Sequence, residues 1–96
     1  MIFSELEYRQ HYSDIHDELV EYLQAHFPDI QDGHQGDSWI WISDGDEKVE
    51  VDTFSSMKHQ VKSAADGQLV QKVIAILQRK YTLIIYQPPE LEGHED

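Results

Sequence analysis

Two short runs, Trp39-Ile40-Trp41-Ile42 and Leu83-Ile84-Ile85-Tyr86, are apolar at every position. Successive side chains of a strand point to opposite faces, so a strand built from either run presents apolar groups on both sides of its sheet. Such a strand must be covered twice, or leave one apolar face in contact with something outside the domain. Aromatic and β-branched content favours strand over helix for both runs. Lys48 to Phe54 alternates instead. Val49, Val51 and Thr53 fall on one side and Lys48, Glu50 and Asp52 on the other, the pattern of a half-buried strand. The turn Asp44-Gly45-Asp46-Glu47 joins it to the tryptophan run, Asp-Gly being a strong hairpin signal. After Ser55-Ser56, Met57 to Lys62 reads as a third strand, with His59 and Val61 on one face and Lys58, Gln60 and Lys62 on the other.

Two segments carry helical spacing. From Ser4 to Phe27, the residues Tyr8, Tyr12, Ile15, Leu19, Tyr22 or Leu23, and Phe27 form one stripe, and Pro28 ends it. Ser4 with Glu7 matches a capping box, and Phe3 can staple onto Tyr8. Ser13 is an alternative start, in which case Met1 to Tyr8 becomes a short strand. Asp29 to Asp37 reads as a loop, with Asp32-Gly33 and Gly36-Asp37 as its turn signals. Asp66 to Lys80 is the second helix, capped by Asp66 or Ser63, with Leu69, Val70, Val73, Ile76 and Leu77 inward. The last strand is expected to stop at Pro88-Pro89.

The predicted order is α-β-β-β-α-β, an α+β domain with two helices packed mainly on one face of a four-stranded mixed sheet. A right-handed crossover through the second helix makes the last strand parallel to the third. Placing the two doubly apolar strands side by side gives the order 4-1-2-3. The domain is expected to span residues 1–88, with 89–96 an acidic, flexible tail. The exposed patch would join the tryptophans or the isoleucines to residues of the last strand. Its cover is the first helix, a foreign protein or a second copy of the chain.

Charge narrows the partners. Nineteen Asp and Glu against seven Lys and Arg give a formal net charge of −12 over 96 residues. A phosphate backbone or an anionic membrane would repel such a surface, so neither nucleic acid nor membrane is an expected partner. The order α-β-β-β-α resembles that of double-stranded-RNA-binding domains, and the same charge contradicts that function. No apolar stretch is long enough to span a bilayer, and the first residues lack the basic and apolar segments of a signal peptide. The chain has no cysteine, which removes disulfides and thiolate chemistry and favours a reducing, cytoplasmic setting.

Six histidines invite a metal reading, but the spacing does not support one. His11 and His16 are badly phased on a helix, and only His11, Asp14 and Glu18 share a face. Ser55, Ser56 and His59 suggest a nucleophile and base without a nucleophile elbow or an oxyanion donor. No cofactor, metal ligand or catalytic residue is assigned. The expectation is therefore a non-catalytic protein-interaction module, inhibitor-, immunity- or chaperone-like in general character. Its contact surface would comprise Trp39, Trp41 and Tyr86 with the acidic residues Asp44, Asp46, Glu47, Glu50 and Asp52, and its partner would be a basic protein or a second copy. The alternatives are a small enzyme or metal-dependent domain using His and carboxylates, and a homodimer with no separate ligand.

Overall fold

A computed structural model describes residues 1–92. The elements in chain order are β1 (Ile2–Glu7), α1 (Tyr12–Gln24), β2 (Ile30–Gln35), β3 (Asp37–Asp44), β4 (Glu47–Asp52), β5 (Gln60–Ser63), α2 (Gln68–Gln78) and β6 (Thr82–Glu90). They form an α+β fold with one six-stranded sheet in the order β2-β3-β4-β5-β1-β6, antiparallel at every bonded pair. The expected four-stranded mixed sheet in the order 4-1-2-3 is therefore corrected.

The two added strands account for the difference. Residues 2–7 are extended because the slot between β5 and β6 offers them partners on both sides and buries Phe3 and Leu6. That exceeds what the Ser4–Glu7 capping pattern contributes locally to a helix. Helix α1 starts instead after His11, whose Nδ1 accepts the Ser13 N–H at 3.2 Å. Residues 30–35 carry no strand periodicity and are ordered by pairing residue for residue with β3. The last strand does run in the same direction as β5, as the crossover requires, but β1 is inserted between them, antiparallel to both. The result is a split β-α-β unit. The strand also continues through Pro88 and Pro89 to Glu90, where an edge position spares the prolines a donor.

Both helices cover one face. Ile40 and Ile42 of β3, Val49 and Val51 of β4, Val61 of β5 and Leu6 of β1 meet Leu19 and Leu23 of α1 and Val70, Val73 and Leu77 of α2 in one buried cluster. Helix α2 has Gly67 at its N-cap and no side-chain cap of its own. Glu47, across the sheet in β4, supplies the missing acceptor: its Oε1 takes the Leu69 N–H at 3.2 Å. A Cβ at residue 67 would run into that carboxylate, so glycine is what lets Glu47 reach the helix end.

The opposite face carries Trp39, Trp41, Glu50, Asp52, Gln60, Lys62, Glu5, Ile84 and Tyr86, by the registers of β3, β4, β5, β1 and β6. Glu92 reaches back onto it, its carboxylate 2.7 Å from Lys62 Nζ, and residues 93–96 of the expected tail lie outside the described residues. Neither helix is long and apolar enough to cross a membrane.

Candidate functional site

The chemically dense part of the molecule lies under α1, where five segments bring one polar side chain each to a common line. Ser38 opens the buried half of β3 and points to the helix side, as Ile40 and Ile42 do. His59 precedes β5 with the same orientation as Val61, and both Ser38 and His59 are completely buried. His16 comes from α1, next to Ile15 and one turn before Leu19. Tyr8 follows β1, and Asp32 sits on the outer strand β2.

Their contacts form a continuous chain: Tyr8 Oη to His59 Nδ1 at 2.8 Å, His59 Nε2 to Ser38 Oγ at 2.6 Å, Ser38 Oγ to His16 Nδ1 at 2.5 Å, and His16 Nε2 to Asp32 Oδ2 at 3.0 Å. The partners assign the protons. The Asp32 carboxylate only accepts, which sets the direction, and His59 Nδ1 at the far end is left to accept the Tyr8 proton while Tyr8 Oη also accepts the His59 backbone N–H at 3.1 Å. His59 Nε2–H then donates to Ser38, Ser38 donates to His16 Nδ1, and His16 Nε2–H donates to the Asp32 carboxylate. Every member is satisfied in one direction with both imidazoles neutral. Burial, followed by charge repulsion from the His16 and His34 positions, pushes His59 down to about 3, so His59 itself is neutral near neutral pH. Burial likewise pushes the Tyr8 phenol up to about 12, so it keeps its proton. The His34 ring stacks on His16 with centroids 4.9 Å apart.

Asp32, His16 and Ser38 thus repeat the carboxylate–imidazole–hydroxyl order of a hydrolase triad. The serine, however, is enclosed. A second imidazole occupies its far side, its N–H donates to Thr53 Oγ1 at 3.1 Å, and none of its surface reaches solvent. No reacting carbon can approach it in this conformation. What the arrangement does is satisfy buried polar groups and tie β1, α1, β2, β3 and the start of β5 together. Spacing along the chain hides this network, since its members come from distant segments. The available signal was a polar residue at a core-facing strand position, Ser38 with Ile40 and His59 with Val61.

No family model, curated protein or solved structure significantly matches this chain.

The other groups weighed for chemistry are engaged elsewhere. Ser55 and Ser56 donate to Glu92 and Glu5 and do not touch His59. His11 serves as the α1 cap, and Glu18 accepts the Tyr81 hydroxyl at 2.8 Å. Among the described residues no group of three or more His, Asp or Glu is placed to hold a metal ion. His94 lies outside the described residues.

The residues expected to form a contact surface are divided by the fold. Trp39 and Trp41 lie against each other, centroids 4.5 Å apart and planes tilted by 38°, on the face away from the helices, each half-buried. The Trp39 ring lies over Gly33 of β2, which has no side chain to obstruct it, and Lys48 Nζ sits 3.9 Å from the Trp41 ring centre. Asp44 and Asp46 are exposed at the hairpin tip, and Glu50 stands beside Trp41. Glu47 is committed to α2. Asp52 is fully buried, 2.7 Å from Lys62 Nζ, which Glu92 holds from the other side at 2.7 Å. Burial raises the Asp52 carboxyl although Lys62 works against it. Tyr86 shares the face but not the neighbourhood, because β4, β5 and β1 lie between β3 and β6.

Proposed function

We propose that this protein is a non-catalytic binding module that takes a basic segment of another protein on the sheet face turned away from its helices. The observation that carries the reading is the placement of the Trp39–Trp41 pair on that face, part-exposed and beside Glu50 and the acidic turn at Asp44 and Asp46. Indole rings and carboxylates together suit arginine and lysine side chains, by cation–π contact and ion pairing. Lys48 already occupies the Trp41 ring in this manner. On this face the carboxylates of Glu5, Glu50, Asp52 and Glu92 outnumber Lys48 and Lys62, so its charge is negative. With the chain at −12, the same charge would steer a basic partner toward the domain.

A hexa-arginine peptide is a suitable probe. Titrated into the labelled protein, it is expected to shift the indole N–H resonances of Trp39 and Trp41 to saturation, with an affinity that falls as salt rises. Trp39→Ala combined with Glu50→Gln should weaken it at least tenfold while leaving the fold intact by circular dichroism. Shifts confined to other surfaces, or binding unchanged in the double variant, would refute the reading.

A further inference from the structure

The two edges of the sheet are built differently. At one end, β2 (Ile30–Gln35) presents Gln31, Asp32, Gly33 and His34, a polar edge that discourages pairing. At the other, β6 runs for nine residues, and from Thr82 to Gln87 it contains no charge and no proline. Ile84 and Ile85 are 42% and 37% exposed and point to opposite faces, so this edge is apolar on both sides. Alongside it, between α2 and β6, lies a groove of about 270 Å³ whose lining includes Phe3, Ile74 and Ile85 together with Asp66, Gln71 and Gln78. An uncharged, two-sided apolar edge of six residues, open beside a groove of mixed polar and apolar lining, is a strand-pairing surface.

We infer that β6 pairs antiparallel with β6 of a second copy of this chain, continuing the sheet across a two-fold axis. Self-complementarity selects a second copy as the occupant. Pairing that keeps both helix layers on the same side sets residues of one face against residues of that face, so the axis passes beside a residue of the strand. With the axis at Ile85, Ile84 lies across from Tyr86 of the second copy, a β-branched–aromatic pair on the outer face. On the helix face the two Ile85 side chains meet, and each is carried to the mouth of the other's groove. The strand is also polar along its length: Arg79 and Lys80 precede it and Glu90 ends it, so antiparallel pairing brings the acidic end of each copy to the basic end of the other. The Trp39–Trp41 face is four strands away and stays open in such a dimer.

Sedimentation of the full chain across protein concentration tests the pairing. The expected wild-type result is a species of twice 11.2 kDa that dissociates on dilution. Ile84→Lys places a cation on the edge at an exposed site and is expected to weaken the dimer at least tenfold with the fold retained. Trp39→Ala is expected to leave it unchanged. As an independent readout, amide exchange at Thr82 to Gln87 should slow with rising protein concentration in the wild type and lose that dependence in Ile84→Lys. A wild type that stays monomeric throughout the range would overturn the inference. A dimer that survives Ile84→Lys or depends on Trp39 would overturn it as well, the latter assigning self-association to the tryptophan face.

Discussion

Acid is the sharpest probe of the buried Tyr8–His59–Ser38–His16–Asp32 chain, because His59 is held neutral at its centre. Its folded value is near 3 against 6.5 in a solvated chain. As pH falls below 6.5, the unfolded chain takes up a proton that the folded chain refuses. Unfolding then gains protons, and stability falls with pH until the folded group itself titrates near 3. One titrating group of this kind removes about 2–3 kcal/mol between pH 6 and pH 4, at about 1.4 kcal/mol per unit once the unfolded group is fully charged. Against a total of about 5–15 kcal/mol for a small domain, that is a large share. Other groups titrate in the same window, and Asp52, whose carboxyl is raised by burial, acts with the opposite sign. The measurement is therefore a difference. Urea unfolding of wild type and His59→Gln at both pH values gives two pH-dependent losses, and the glutamine keeps a donor near Ser38 without titrating. The wild type is expected to lose about 2–3 kcal/mol more than the variant. Equal losses would mean that His59 is protonated in the folded state, and the directional hydrogen-bond chain would be wrong.

Two further outcomes follow from the outer face and the α2 cap. Lys62→Met should cost about 3–5 kcal/mol near neutral pH, because it leaves Asp52 fully buried beside Glu92 with no counter-charge. The loss should shrink on acidification as Asp52 takes a proton, and Asp52→Leu in the same chain should recover much of it; a single variant as stable as wild type in chemical denaturation would refute this account. Glu47→Ala should cost about 1 kcal/mol and speed hydrogen exchange at the Leu69 amide, since that carboxylate is the acceptor at the start of α2. Unchanged exchange at Leu69 would show that the cap is not used.

Elements with a strong local period were legible in the amino-acid order. The stripe of α2, with Ile74 in the core where Ile76 was expected, and the alternation of β4 depend on side-chain spacing that neighbouring residues already display. So do the two faces of the segment that becomes β5, where His59 and Val61 oppose Gln60 and Lys62, as expected. The first strand was not legible in this way. Ser4, Glu7 and the stripe beginning at Tyr8 are compatible with a helix, and only the vacant slot between β5 and β6 decides for an extended chain. Strand β2 shows the same dependence from the other side: Ile30-Gln31-Asp32-Gly33-His34-Gln35 carries loop signals and becomes a strand because β3 is there to pair with.

The sites divide along the same boundary. Chain composition determines that the surface is acidic and cysteine-free and that two strands are apolar on both sides. Tertiary structure decides which of those groups meet. It separates Tyr86 from the tryptophans by three strands, buries Asp52 against Lys62, turns Glu47 into a helix cap and draws Tyr8, His16, Asp32, Ser38 and His59 into one hydrogen-bonded line. The physical reason is range. Periodicity and turn chemistry act over a few residues and are written in the local order, whereas strand pairing joins separate segments and proton sharing such as His16–Asp32, His16–Ser38 and Tyr8–His59 joins residues 16, 22 and 51 apart, and both exist only once the sheet has formed.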